Sequence, residues 1–124
     1  MNEDDELTHR IIGCAMKVHS ALGPGLLESA YEACLEHELK KAGFSVQRQV
    51  QVPIVYDGVK LDSGYRIDLL VNDEVILELK VLEKVLPVHE AQLLSYIRLA
   101  NKRRGLLINF HVVSLKDGIV RRSL

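Results

Sequence analysis

Apolar residues recur at helical spacing through the first forty positions and then switch to a two-residue period, so the chain divides into a helical front and a sheet-forming middle. Leu7, Ile11, Cys14, Ala15, Val18 and Leu22 mark one stripe of a helix over residues 4–22, with acids in its first turn. Gly23-Pro24-Gly25 ends it, and a second helix spans residues 26–42 before Gly43. Residues 45–56, 59–71 and 74–82 are rich in Val, Ile and Tyr and are separated by Asp57-Gly58 and Asn72-Asp73, two turn signals. They predict a three-strand meander. A third helix over residues 88–102 follows Pro87. Then come a buried strand over residues 105–110 and a last hairpin around Lys116-Asp117-Gly118. The order is ααβββαβ with a terminal β extension, an α/β fold whose mixed sheet is flanked by helices.

Charges interrupt this pattern at a few positions. The run Val75–Leu82 is apolar except for Glu78 and Lys80, which alternation places on one face with Leu77, Leu79 and Val81 opposite. Charges on a core strand are costly unless they are paired, hydrogen-bonded or bound to a metal. In the preceding strand, Arg66 and Asp68 share a face, with Ile67, Leu69 and Val71 on the other, so neighbouring antiparallel strands bring four charged groups within reach. On the second helix Glu28 falls within the apolar arc of Tyr31, Leu35, Leu39 and Ala42, while Glu32 and Glu36 drift to its edge. Gly25 lets the chain enter that helix tightly. On the third helix Gln92 and Tyr96 lie one turn apart beside Leu93, Ile97 and Ala100.

Glu28, Asp68 and Glu78 with Lys80 carry a net charge of −2 on oxygen donors, with no Cys or His among them. That set suits a hard divalent cation, Mg²⁺ or Mn²⁺ rather than Zn²⁺. Such an ion polarises a phosphoryl oxygen and acidifies a bound water, with Lys80 placed to orient the water or offset developing charge. A buried ion-pair network, Glu78–Lys80 with Arg66–Asp68, accounts for the same residues without chemistry. His19, in the helix before Gly23, lines the same region in one reading and is a structural histidine in the other. His89, at a helix start, has less to recommend it.

Composition narrows the setting. The chain has 124 residues, 48% of them hydrophobic and 27% charged, the profile of a soluble globular protein forming one domain. No apolar stretch approaches the roughly 20 residues of a membrane span, and the acidic start lacks the basic region of a secretory signal, so a cytoplasmic location is expected. Cys14 and Cys34 fall on apolar stripes and are expected to be small core residues. Net charge is −1, yet residues 1–62 carry 6 basic and 10 acidic side chains and residues 63–124 carry 10 and 7. Arg66, the cluster Lys102-Arg103-Arg104 and the pair Arg121-Arg122 are candidate phosphate contacts.

The segment Gly25-Leu26-Leu27-Glu28-Ser29-Ala30-Tyr31 resembles the pattern that names the GxxExxY proteins, a group placed in the PD-(D/E)XK nuclease superfamily. The likeness continues through residues 18–25, 65–71, Glu78-Leu79-Lys80, residues 92–96 and 105–110. It implies an αβββαβ restriction-endonuclease-like core with one added helix in front. It also implies Mg²⁺-dependent cleavage of nucleic acid, with DNA ahead of RNA. By the same resemblance, Asp68 and Glu78 are metal ligands, Lys80 is the motif lysine, Glu28 is the supporting helix glutamate and Gln92 is the glutamine of the following helix. Gly25, Tyr31, Tyr96 and His19 have supporting places, the two tyrosines packing the site and hydrogen-bonding its carboxylates. The proline that nominally precedes the aspartate is replaced by Ile67. A small chain without a separate nucleic-acid-reading domain is expected to work as a homodimer or with a protein partner. The alternative is a non-catalytic binding or assembly module that keeps the fold.

Overall fold

The first helix, α1 (Glu3–Leu22), buries Ile11, Ala15 and Val18, with Leu7 and Cys14 partly covered. Leu22, at its end, reaches past the core and is exposed. The computed structural model describes the backbone of residues 3–62 and 64–124 and their side chains from Glu6 onward, so the first-turn acids Glu3, Asp4 and Asp5 lie outside the described side chains. Helix α2 (Glu28–Lys41) starts two residues later than the apolar pattern predicts, because Leu27 is extended at φ −69° and ψ 148°. It buries Tyr31, Leu35 and Leu39 against α1 and the sheet. Cys34 is part-buried against the same core, and both cysteines are unbridged.

The expected meander is interrupted. Its first two strands each break in two, giving β1 (Val46–Gln51), β2 (Ile54–Tyr56), β3 (Val59–Leu61) and β4 (Arg66–Val71). Pro53 cannot donate a ladder hydrogen bond, which parts β1 from β2. The outer halves pair as a separate two-stranded arm, with Ile54 opposite Leu61 and Tyr56 opposite Val59. The inner halves join β5 (Val75–Lys80) through a tight turn in which Asn72 and Asp73 both have positive φ. Helix α3 (Pro87–Leu99) ends three residues early. Asn101 takes φ +56° and the Lys102 N–H bonds Ile97 O at 2.9 Å, a left-handed helix stop.

Strand β6 (Arg104–Asn109) lies parallel to β5, as the α3 crossover requires, and β7 (Ile119–Ser123) pairs antiparallel with β6. The main sheet runs β1-β4-β5-β6-β7. The predicted terminal hairpin is therefore only half present: residues 112–114 form no strand, and a single 3₁₀ turn, Leu115–Gly118, leads into β7. One core packs α1 and α2 on Leu69, Val71, Leu77, Leu79, Leu106, Ile108 and Phe110; a second packs α3 on Ile67, Leu70, Ile76 and Leu107. This is a three-layered α/β fold with a mixed five-stranded sheet, consistent with a restriction-endonuclease-like core. Among the described residues no helix is long and apolar enough to cross a membrane.

Buried Asn109, at the end of β6, fixes the chain as it leaves β5: Leu82 N–H donates to its Oδ1 and its Nδ2 donates to Leu82 O, both at 2.9 Å. Gly118 packs directly on this residue, and a Cβ there would lie 2.2 Å from Asn109 O. Gly118→Ala is expected to lower stability by about 1–3 kcal/mol, the cost of overpacking. A urea-unfolding midpoint equal to that of the wild type would contradict the close approach.

Candidate active site

Strands β4 and β5 pair only from Leu69↔Leu77 to Val71↔Val75. Beyond that point they part. The Leu79 N–H, which a continued ladder would turn to a backbone carbonyl, donates instead to Asp68 Oδ2 at 2.8 Å. On the other side of β4 the ladder with β1 skips the row of Gln49 and Asp68, although Arg48↔Leu69 and Val50↔Ile67 pair on either side. Alternation fails at this row: Leu69 and Val71 face α1 and α2, whereas Ile67 joins Leu70 on the α3 side. The expectation that Ile67, Leu69 and Val71 share one face is corrected accordingly. A strand that changes faces around Asp68 presents its carboxylate sideways, toward β5.

Glu78 follows Ile76 on the α3 side of β5 and is 3% exposed. Its Oε1 is buried without a hydrogen-bond partner. Burial first, then the charge of Asp68 and the hydrogen bond between the two carboxyls, push the Glu78 pKa up to about 10, against the opposing pull of Lys80. Glu78 is therefore protonated at neutral pH when no cation is near. Lys80, on the same face, donates from Nζ to Gln92 Oε1 at 3.2 Å, and Gln92 Nε2 donates to the Tyr96 hydroxyl at 3.3 Å. Tyr96 is buried, and Tyr65 places its ring 5.9 Å away. Among the described residues no ion pair joins Lys80 to Glu78 or Arg66 to Asp68, so the internal ion-pair network weighed from sequence is not formed.

Glu28 opens α2 and is half-buried rather than core-facing. Its pKa is raised by burial, then by Asp68, against the pull of Lys80, with Glu32 adding to the rise, so it stands within electrostatic reach of Asp68 and Lys80. The buried carboxylate of α2 is Glu32, at 7% exposure. Gln49 Nε2 donates to it at 2.6 Å and Arg48 lies 3.6 Å away. Sequence periodicity put Glu32 at the edge of the apolar arc and gave no sign of Gln49, whose partners are 17 and 19 residues away.

The remaining sequence candidates divide. Tyr31 does not bond the carboxylates. Its hydroxyl donates to Gly23 O at 2.6 Å and accepts from Leu26 N–H at 3.2 Å, while its ring stacks on Phe110 at 4.4 Å. It thus ties down the loop that carries Gly25, at φ +102°, into the helix start at Glu28. His19 is buried away from the pair, Nε2 2.8 Å from Val112 O. His89 Nδ1 accepts the Leu86 N–H at the start of α3. Arg66 is exposed at the start of β4. Lys102, Arg103 and Arg104 are not beside the carboxylates: Arg104 pairs with Val75 and Leu107 with Glu78, which sets the cluster about 10 Å down the sheet. There Lys102 bonds Asp73 at 2.9 Å and Arg104 lies 3.3 Å from Glu74. Arg122 is engaged by Glu90.

The donors are all oxygen, two of the three carboxyls have raised pKa values, and one oxygen is buried without a partner. That chemistry fits a hard divalent cation, which would displace the Glu78 proton and satisfy Oε1. As they stand, no three His, Cys, Asp or Glu side chains among the described residues converge closely enough to hold an ion.

The raised pKa carries a stability consequence. The unfolded chain releases the Glu78 proton near 4.5 and the folded chain near 10, so over that window folding retains a proton that unfolding gives up, and stability falls as pH rises. In metal-free protein, Glu78→Gln is expected to gain on the wild type steadily from pH 5 to pH 9 in urea unfolding. Parallel curves for the two proteins would show that the carboxyl is not held protonated.

A model of the PD-(D/E)XK nuclease superfamily matches residues 5–122 of the chain. No curated protein and no solved structure matches it.

Proposed function

Because the chain belongs to the PD-(D/E)XK nuclease superfamily, whose members generally use divalent metals, we propose that it is a Mg²⁺- or Mn²⁺-dependent nuclease that hydrolyses phosphodiester bonds in DNA. The observation that carries this reading is the parting of β4 and β5 around a carboxyl pair with a buried, partnerless oxygen, with a lysine one alternation away. Asp68 and Glu78 would hold the ion and Glu28 would stand at its margin. The ion, when bound, supplies charge to the phosphoryl oxygens and lowers the pKa of water.

The protein groups have separable tasks. Asp68 is oriented by the Leu79 N–H, so its carboxylate is fixed before any ligand arrives. Glu78 must release its proton on ion binding, which makes binding tighten as pH rises. The Lys80 ammonium meets a neutral amide rather than a carboxylate, so its charge is left to orient the attacking water and to offset charge gathering on the phosphoryl oxygens. Gln92 and Tyr96 fix where that ammonium points. Exposed Arg66 and Tyr65, where β4 leaves the arm, lie where a strand of substrate would pass.

The test is cleavage of single- and double-stranded DNA, with RNA for comparison, in millimolar Mg²⁺ or Mn²⁺. Asp68→Asn and Lys80→Ala are each expected to slow cleavage by at least about a hundredfold while the variants stay folded by circular dichroism. Wild-type protein inert on every substrate with both metals would favour the non-catalytic module instead.

A further inference from the structure

We propose that Gln49 is a positioning residue for Asp68, holding the second oxygen of its carboxylate by bridging it to Glu32 of α2. The inference rests on the nuclease reading of the Asp68–Glu78 pair and adds to it a residue outside the motif. Asp68 has two oxygens. Oδ2 is fixed by the Leu79 N–H; Oδ1 faces the Gln49 amide, whose Nε2 lies 3.5 Å from it and 2.6 Å from Glu32 Oε1. Both facing groups are carboxylates, so the amide must present its NH₂ end, and its two hydrogens suffice for one contact each. The shorter bond anchors the amide to a buried side chain that Arg48 also flanks, which makes Glu32 the fixed end of the bridge.

The backbone is bent to make this contact. Gln49 takes φ +55°, the left-handed region that a residue with a long side chain rarely occupies, and it does so in the one row where β1 and β4 fail to pair. In regular strand geometry the row would close and the side chain would stand off the sheet. Left-handed, it reaches across to the two carboxylates. A neutral amide also has a property that a lysine or arginine there would lack. It orients Asp68 without cancelling the negative charge that a cation needs.

The test separates bridge from strain. Gln49→Gly relieves the backbone and removes the amide; Gln49→Asn tolerates the same φ but falls one methylene short. Mn²⁺ binding to each variant, the wild type and Asp68→Asn is followed by electron paramagnetic resonance without substrate. Cleavage is measured alongside. The expected result is Mn²⁺ affinity about tenfold weaker in both Gln49 variants, with the Gly variant melting no lower than wild type. If both Gln49 variants bind Mn²⁺ like wild type while Asp68→Asn does not, Gln49 is only a strained strand residue and the proposal fails, with the nuclease reading intact. If wild type itself binds no Mn²⁺, both fall together.

Discussion

One hydrogen bond organises the centre of this protein: the Asp68 carboxylate takes the Leu79 N–H that the sheet would otherwise use for itself. A side chain that substitutes for a ladder carbonyl ends the β4–β5 pairing and holds the two strands apart beyond it. The gap is where Glu78 buries an unpartnered oxygen. The cost of that oxygen is lowered by keeping the carboxyl protonated, and Lys80, turned to Gln92, is left unneutralised. Closing the ladder would leave Asp68 without its partner and Glu78 without its opening.

The helices serve the same centre from both sides. Tyr31 fastens the loop from Gly23 to Leu26, so α2 begins at Glu28, within electrostatic reach of Asp68. From the other layer, α3 contributes Gln92 and Tyr96 at successive turns. Asn109 clamps Leu82 just beyond Lys80, so the strand carrying the lysine cannot slide. The pattern explains why the motif spacing Gly-x-x-Glu-x-x-Tyr has its length: two residues separate the loop glycine from the helix start, and after two more the tyrosine ring comes back over the same loop.

Much of this was legible in the order of residues, because strand alternation and helical period are local. Glu78 and Lys80 on one face, Gln92 beside Tyr96 and the α3 crossover to a buried β6 all follow from spacing alone. What spacing could not give is where alternation stops. The change of face between Ile67 and Leu69 depends on the left-handed Gln49 in a different strand, and no local pattern marks it. Glu32, at the edge of the helical arc, is buried with Gln49 and Arg48 beside it, contacts from β1 that helical spacing does not show. Of the basic cluster that the sequence offers as phosphate contacts, Lys102 and Arg104 meet Asp73 and Glu74 from the turn between β4 and β5, partners that no local pattern marks.

That turn has a kinetic consequence. Asn72 and Asp73 close the shortest loop in the sheet, so the contact between Asp68 and Leu79, 11 residues apart in sequence, carries a small loop-closure cost. The parallel β5–β6 pairing must wait until α3 has crossed the sheet, and Glu28 must be brought in from far upstream. The two acids are thus gathered while the chain around them is still open to water, and Glu78 takes up its proton only as burial follows. Asp68 and Glu78 are thus neighbours along the chain, while Glu28 and Gln92 join them only as the helices close on the sheet.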